Sequence, residues 1–312
     1  MRESTVTSTA WGALASTALE RSLIEYFAAS PYLEDVELVV STFASCHTYR
    51  MQERYMQNAT TDLPDVLEEG TYADLYPIAG DQKQQYKPTK RGGVVYYTLE
   101  ASRADNLGAL QQLPRVIAYA AARTLYTKVF GTFISNPVTT YDGVGLVHTS
   151  HNNTITPEVP SNSFDHFDKM INQTDVNGKP LKIYPKYGIY SVKTSLSISN
   201  DMYTGVKEHG FPGSVPPGVS EEFWKRYGVL PLQVPAGLFT PAVIDNFVWT
   251  IADPSVWETI EVGFLNGKRE PQFLVANEER AGSRFTADFI ALKAMHVYGT
   301  VFLNHRMIAS NL

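Results

Sequence analysis

The chain has 312 residues, of which 44% are hydrophobic and 12% aromatic, and its formal net charge is −6. This apolar content supports substantial cores and excludes a largely disordered chain. The acidic balance argues against a general electrostatic grip on nucleic acid, and no apolar run reaches the ~18 residues of a membrane span. The single cysteine, Cys46, cannot form a disulfide within the chain and suits a reducing cytoplasm. The N-terminus lacks a basic region followed by an apolar core, so export is not expected.

The first sixty residues have the pattern of an arm. Apolar residues at helical spacing predict an amphipathic helix over Leu14–Phe27, which Ser30-Pro31 ends. A β-prone run follows over Val36–Tyr49. Because these pieces offer little apolar surface for a core of their own, we expect residues 1–61 to form an N-terminal arm that lies on another structure.

Residues 62–104 have the pattern of a long β-hairpin. Two tyrosine-rich, β-prone segments, Thr71–Ile78 and Val94–Leu99, flank a polar stretch with several glycines. We predict that Asp81–Arg91 is the tip of this hairpin and that it is solvated or lies on another protein. An isolated two-stranded ribbon is marginal in water, so the pattern predicts that another subunit is its packing partner.

The strongest helix signal in the chain runs from Leu113 to Ile134. Asp105 or Asn106 is predicted to cap the start of the helix, and Asn136-Pro137 to end it. Its polar residues are expected to face solvent or an interface. The apolar stripe, which repeats at i, i+3, i+4 and i+7, comprises Leu113, Val116, Ile117, Ala120, Ala121, Leu125, Val129, Phe130, Phe133 and Ile134.

The remaining chain alternates between short strands and turns. A short helix is predicted over Phe164–Asn172 and a turn over Asp175–Pro180. Strands are predicted over Trp257–Leu265 and Gln272–Val275, and a terminal strand pattern runs from Phe285 to Ile308. The sequence therefore predicts an α+β protein with one dominant helix.

The most enzyme-like cluster is Asp142-Gly143, followed by His148-Thr149-Ser150-His151. The two histidines would share a metal ion with Asp142 if they lay on a helix, but the neighbouring glycines and asparagines predict a loop, where this spacing has no fixed geometry. Ser150 with His151 would form a nucleophile pair, yet no G-x-S-x-G segment presents it. Phosphate-binding glycine motifs are also absent from the sequence. We therefore predict no catalytic, cofactor-binding or metal site, and no enzymatic activity.

Short motifs spread over residues 62–153 and 257–308 form an ordered pattern. The later section contains VGFLNGKREPQF and GSRFTADFIALKAMHVYGTVFLNHR. The earlier section contains Asp62-Leu63-Pro64, Gly70-Thr71-Tyr72, Gly93 through Thr98-Leu99-Glu100, Asp105-Asn106-Leu107-Gly108, Leu113-Pro114, Ala120-Ala121-Ala122-Arg123, Asn136-Pro137, Asp142-Gly143 with Leu146, and His151-Asn152-Asn153. In their order and spacing, these motifs resemble the major capsid proteins of tailed bacteriophages, most closely the Mu-like major head subunit family.

The resemblance implies the HK97-type phage capsid fold and a division of the chain into five parts. The N-terminal arm would occupy residues 1–61, and the extended hairpin loop residues 62–104. The spine helix and the first part of a peripheral domain would span 105–180, followed by an axial domain at 181–255. The C-terminal strands at 256–312 would complete the peripheral domain.

The implied function is that of a major capsid protein whose hexamers and pentamers close into an icosahedral shell around double-stranded phage DNA. No cofactor, membrane contact or sequence-specific DNA contact is implied. The implied partners are other copies of the chain, a separate scaffolding protein, a portal and, as a further candidate, a decoration protein. Assembly would take place in the bacterial host cytoplasm, and the product would be the virion capsid.

Two alternatives follow from the same resemblance. The first is a cellular compartment shell of the same fold that encloses a protein cargo. The second is a chemical variant in which Lys83, Lys87 or Lys90 joins covalently to an asparagine of a neighbouring subunit. The sequence does not single out any such lysine–asparagine pair.

Overall fold

The structure is a computed structural model that describes residues 21–56, 63–68, 70–72, 82–98, 109–155, 163–175, 177–191, 230–235, 248–276 and 289–310. The helices are α1 (residues 21–28), α2 (Pro31–Val39), α3 (Ala109–Ile134) and α4 (Ser163–Ile171), with short 3₁₀ helices at Thr149–His151 and His305–Met307. The strands are β1 (Val40–Cys46), β2 (Gln52–Tyr55), β3 (Lys83–Tyr86), β4 (Thr89–Thr98), β5 (Pro185–Ser191), β6 (Leu230–Val234), β7 (Val248–Ala252), β8 (Ile260–Leu265), β9 (Gln272–Ala276), β10 (Phe289–Phe302) and β11 (Ile308–Ser310). Among the described helices, none combines the length and the apolar character needed to cross a membrane.

The first sheet is organised around β10, the longest of the described strands at 14 residues. The strand order is β1-β8-β10-β4, and β9 pairs with the first half of β10. β1 runs parallel to β8, whereas β10 is antiparallel to β4, β8 and β9. Thr300 and Phe302 face α3. Because side chains alternate along a strand, Val301 between them faces the opposite side.

The second sheet has the strand order β11-β7-β5-β6. Three of its strands come from the range predicted as the axial domain, but β11 comes from the C-terminus. The terminal strand pattern therefore does not continue unbroken to Ile308, as the sequence suggested. β10 ends at Phe302, a 3₁₀ helix turns the chain at His305–Met307, and β11 then joins the second sheet. One apolar core extends across both sheets.

Helix α3 packs its predicted stripe against this core. An aromatic series from Tyr126 through Phe130 and Phe133 to Trp249 fills the space between the helix and the second sheet, with successive ring centroids 4.2, 5.5 and 5.4 Å apart. Val116, assigned to the stripe from the sequence, is 60% exposed, so that assignment is wrong. Pro114 lies within the helix, and the predicted cap residues Asp105 and Asn106 lie outside the described residues.

Several predicted elements are confirmed. Asn136 ends α3 in a left-handed conformation (φ 45°), which asparagine tolerates better than most residues, and its side chain bonds Val147 through both the backbone N–H and the carbonyl. The Asp175–Pro180 turn is closed by a hydrogen bond from Asp175 N to Lys179 O. α4, β8 and β9 match the predicted short helix and strands to within a few residues.

Residues 23 to 46 of the predicted N-terminal arm lie on the core of their own subunit, and the boundaries of the arm stay a prediction. Leu23 and Phe27 of α1 and Val36 and Val39 of α2 are buried in the main core. β1 then pairs with β8, so the β-prone run begins at Val40 and not at Val36. Each short segment is too small for a core of its own, but each buries its apolar face against the sheet and α3. Residues 1–20 lie outside the described residues.

The predicted hairpin tip at Asp81–Arg91 is also wrong. Lys83–Tyr86 forms β3 and pairs with β2, and Thr89 begins β4, which pairs with β10. Tyr86 and Gln84 are buried within the subunit, where a tip in solvent or on another protein was expected. The tyrosine-rich segment near Val94 is a strand as predicted, but its described partner is β10, and residues 73–78 of the proposed partner strand lie outside the described residues.

The burial of α1 leads to a direct test on the unassembled subunit. Leu23→Ala removes a fully buried side chain and should lower the free energy of unfolding by about 2–5 kcal/mol. The adjacent Ile24 is 36% exposed, so Ile24→Ala serves as the control and should cost about 1 kcal/mol or less. Urea unfolding measures both. Equal small effects would show that α1 does not belong to the folded core.

Candidate functional site

The strands β2 and β3 form a two-stranded ribbon that carries the long connection between them. Its strands pair antiparallel from Gln52 opposite Tyr86 to Tyr55 opposite Lys83, and Met56 N bonds Gln82 O beyond them at 2.9 Å. A two-stranded ribbon has too little apolar burial to be stable by itself in water. Its contacts with the sheet therefore decide how it is held.

Tyr86 of β3 enters the sheet through a gap made by two glycines. Gly263 of β8 and Gly299 of β10 are paired directly across the two strands. A Cβ atom at Gly263 would lie 2.2 Å from the Tyr86 hydroxyl oxygen, and one at Gly299 would lie 2.7 Å from Tyr86 Cδ2. Both positions need glycine because the aromatic ring occupies the space of their side chains.

The hydroxyl group of Tyr86 ends at a buried carboxylate. It donates to Glu261 Oε1 at 2.6 Å, and Arg54 Nε of β2 lies 2.8 and 2.7 Å from the two Glu261 oxygens. Glu261 is 3% exposed, and a buried carboxylate without such partners would be strongly destabilising. Burial, followed by the bonds with Cys46 and Glu261, raises the pKa of Tyr86 well above its ordinary value. Both strands of the ribbon thus bind the same carboxylate.

A second contact ties the ribbon to the loop after α3. The buried Gln84 accepts hydrogen bonds from the backbone N–H and the hydroxyl of Thr140, at 3.3 and 3.2 Å. Just before β3, Gln82 Oε1 accepts from Arg306 Nη1 at 3.4 Å. On the exposed side of the ribbon, Glu53 accepts from Lys83, Gln85 and Tyr55. The base of the ribbon is therefore held from the sheet, the loop and the C-terminal 3₁₀ helix.

The enzyme-like cluster lies in this same loop, next to the ribbon base. His151 is buried, with Nδ1 3.1 Å from Leu146 O and Nε2 2.6 Å from Asp142 Oδ2. Both ring nitrogens of His151 therefore face oxygen atoms of the same loop. His305 stacks on it with ring centroids 4.0 Å apart, and the Tyr141 hydroxyl donates to His305 Nδ1.

These contacts set the charge states of the loop. Burial alone would raise the pKa of Asp142, but hydrogen bonds from Thr139 and His151 outweigh it and lower the pKa. Burial, together with the charges of His151 and Arg306, lowers the pKa of His305 to about 3. His305 is therefore neutral and accepts the bond from Tyr141. Together the groups form a chain of hydrogen bonds that closes the loop on the C-terminal 3₁₀ helix.

The structure does not bring His148 and His151 together as ligands. His148 is exposed and bonds Ser150 Oγ at 2.7 Å, and its ring centroid is 6.3 Å from that of His151. Ser150 is thus a partner of His148 and not of His151. Among the residues the structure describes, no group of three or more His, Cys, Asp or Glu side chains is placed to hold a metal ion. The hydrogen bonds of Asp142 and His151 give both residues a structural role in this loop.

Sequence reasoning missed the residues that hold the ribbon. Glu261 is an acid within the otherwise apolar strand IEVGFL. Gly263 follows two positions later in the same strand and pairs with Gly299 of β10. A lone acid in a buried strand is a signal for a buried polar contact. The partner residues Tyr86 and Arg54 are far away in sequence, so the pairing itself is visible only in the fold.

Comparisons with known proteins identify what the chain is similar to. The family model for phage capsid protein matches residues 81–311. A structure from Microbacterium phage Oxtober96 is similar at 11% identity and a TM-score of 0.54, covering 90% of each chain. The procapsid of bacteriophage JBD30 is similar at 15% identity and a TM-score of 0.51, covering 98% of this chain and 75% of the other.

A further similar structure is the virus-like particle from Pyrococcus furiosus, at 9% identity and a TM-score of 0.50, with 94% of this chain and 97% of the other covered. At these identities the structures show a shared fold alone. No curated protein sequence matches this chain. The comparisons do not distinguish the Mu-like subgroup, so that finer resemblance stays a prediction.

The contact with Glu261 predicts that the hydroxyl group of Tyr86 stabilises the fold, whereas that of Tyr55 does not. Tyr86→Phe removes a charge-assisted hydrogen bond from a buried carboxylate and should lower the free energy of unfolding by about 1–3 kcal/mol. Tyr55→Phe in the same ribbon removes an exposed hydroxyl and should have no measurable effect. Urea unfolding of both variants is the measurement. A Tyr86→Phe protein as stable as the wild type would show that this bond does not hold the ribbon.

The depressed histidine pKa predicts a loss of stability in acid. The unfolded chain protonates His305 as pH falls through 6.5, whereas the folded chain does not until about pH 3, so stability is full above pH 6.5 and decreases below it. For each pH unit below 6.5, His305 should lower the free energy of unfolding by up to about 1.4 kcal/mol. His305→Gln should flatten the dependence between pH 6.5 and 4, measured by urea unfolding at each pH. His148→Gln, at an exposed position, is the control and should keep the wild-type slope.

Proposed function

The chain belongs to the phage capsid protein family, and we propose that its copies form hexamers and pentamers that close into an icosahedral shell around double-stranded DNA. It has the HK97-type capsid fold, and its function is that of a major capsid protein of the virion. The observation that carries the proposal is the family match over residues 81–311, which includes the central helix and most strands of both sheets.

The ribbon supports an interface between subunits. Its base is held by Glu261, while residues 63–68 and 70–72 of the connection are exposed, including Leu63, Leu67 and Tyr72 at 80%, 83% and 87%. Large apolar side chains in such exposed runs mark interaction surfaces. We place the extended loop of the capsid fold in this connection, between β2 and β3, and infer that it contacts a neighbouring subunit.

The second sheet is proposed as the axial part of the subunit, which meets its copies at the centre of each ring. β5, β6 and β7 come from residues 181–255, the range assigned to that role. β11 pairs with β7 of this sheet, and the short 3₁₀ helix at His305–Met307 connects β11 to β10. The ring contacts would therefore be linked closely to the first sheet. A closed ring of identical contacts is the usual way in which such subunits associate.

The remaining partners follow from the same proposal. A separate scaffolding protein would guide curvature, a portal would occupy one vertex, and a decoration protein is a further candidate. Assembly would take place in the host cytoplasm. The net charge of −6 suits a container whose DNA must also leave, because close neutralisation of phosphates would retain it. A structural and not a catalytic role fits all of these.

A compartment shell that encloses a protein cargo is the second candidate, because the fold is shared with the Pyrococcus furiosus virus-like particle. The two differ in what purified particles contain. Nuclease-protected DNA in particles from infected cells supports the phage head. A single protein cargo and no nucleic acid would favour the compartment instead.

The proposal predicts that the exposed loop is required for assembly and not for folding. Deletion of residues 63–72, with a short Gly-Ser link in their place, removes the exposed apolar side chains but leaves the ribbon base intact. The variant should keep the unfolding free energy of the wild-type subunit and yield few or no closed particles by negative-stain microscopy. Exchange of residues 63–72 for a scrambled order of the same residues is the control for length and composition and should also fail. Normal shells from the deletion would exclude an intersubunit role for this loop.

A further inference from the structure

A cavity of about 450 Å³ lies between α3 and the edge of the first sheet. Its walls are mainly apolar, with Val95 of β4, Ile117 and Ala121 of α3, and Leu292 and Met295 of β10. Its volume falls in the range of sites that hold a ligand or a large side chain. β4 is the edge strand here, and Val94, Val95 and Tyr96 are 44%, 38% and 61% exposed. An open apolar cavity beside an exposed apolar edge is unusual for a surface that meets only water.

The missing side chain of Gly93 helps to form the cavity. Gly93 is paired with Ala294 and therefore projects to the same side of the sheet as the cavity. A Cβ atom at this position would meet no other atom within 4 Å, in contrast to the crowded Gly263 and Gly299. Packing among the residues that the structure describes gives no reason for glycine at position 93. A glycine here would instead leave space for another molecule.

The rim of the cavity is positively charged. Arg91 lines it, and Lys128 is exposed one helical turn after Thr124, which also lines it. Arg91 Nη1 donates to Tyr298 O of β10 at 2.9 Å, and Thr132, one helical turn after Lys128, bonds Thr300 of the same strand at 2.7 Å, so both cations lie along the same part of the rim. None of the described residues that line the cavity is acidic, and the ion pairs among the described residues include neither cation. Two cations left together without a carboxylate fit an acidic partner.

The exposed segment of the ribbon connection has the complementary chemistry. Asp65 and Glu68 are exposed acids that alternate with the exposed Leu63, Leu67 and Tyr72. The segment contains a tight turn, in which Gly70 N bonds Leu67 O at 2.8 Å. The turn requires glycine, since a Cβ atom at Gly70 would lie 2.8 Å from the Leu67 oxygen.

We propose that the segment 63–72 of one subunit docks into the Gly93 cavity of a second copy, with its apolar side chains in the cavity and its acids against Arg91 and Lys128. This rests on the proposed shell function and names the surface that receives the loop. A second copy is the occupant because Tyr86 holds the base of a subunit's own ribbon against Gly299, on the face of β10 opposite the cavity. The charges select the orientation, and the apolar contact excludes water.

Filling the cavity tests the apolar half of the proposal. Gly93 has an ordinary strand conformation, so Gly93→Val adds a side chain that strands favour, into empty space. The purified variant should unfold at the same urea concentration as the wild type or a higher one. Its threshold concentration for particle formation, measured by light scattering, should rise at least tenfold. Val256→Leu, at a 70% exposed position outside the cavity lining, should assemble as the wild type does.

Charge exchange tests the polar half. Lys128→Glu should raise the threshold concentration several-fold, and so should Glu68→Lys or Asp65→Lys. One of the two double variants, in which Lys128→Glu is combined with either acid reversal, should restore assembly, because every copy then carries the reversed pair. The single variants should lose their effect at high salt, where exposed charges are screened.

The outcomes separate this inference from the proposed function. If deletion of residues 63–72 prevents assembly while Gly93→Val and Lys128→Glu assemble normally, the loop docks elsewhere and the cavity assignment is wrong. If the deletion itself assembles normally, the proposed role of the loop fails as well. Loss of assembly in Gly93→Val with an unchanged fold, together with rescue by charge exchange, supports the cavity as the receiving surface.

Discussion

A carboxylate moved from water into a protein interior costs several kcal/mol unless charged or donating groups meet it there. Glu261 is such a carboxylate, and the groups that meet it, Arg54 and Tyr86, both come from the ribbon. If the base of the ribbon left the sheet, Glu261 would lose its nearest partners at once. The direction of the ribbon is therefore set by an interaction that is all or none, and not by a gradual balance of weak surface contacts.

The two faces of β10 pack against different parts of the structure. Towards α3 the strand presents bulky residues such as Tyr298 and Phe302, which build the common core. On the other face Gly299 lies beside Gly263, and the space they leave admits the ring of Tyr86. A larger residue at either position would move the ring from the carboxylate. One strand thus joins the core, the ribbon and, through the 3₁₀ helix that follows it, the second sheet.

The parts of the fold that the sequence predicts are those decided by local periodicity. The stripe of α3, the end of the helix at Asn136 and the strands β8 and β9 follow from spacing and turn residues. Local patterns show that the first segments need another structure to lie on but not which one, and they misplace the hairpin tip. Leu23 and Tyr86 are buried only because distant strands lie beside them. The pairing of Glu261 with Arg54 spans 207 residues and has no local signature.

A shell subunit must keep its contact surfaces available until a partner arrives. Apolar groups such as Leu67 and Tyr72 would collapse onto their own subunit if the chain that carries them were free to turn back. The buried carboxylate fixes the base of the ribbon on the sheet, which limits how far the chain beyond it can turn back. The cost is an exposed apolar segment on a net acidic monomer, and its acids, Asp65 and Glu68, keep that segment solvated. The same charges that protect the monomer from random association then help to select the cationic rim of a second copy.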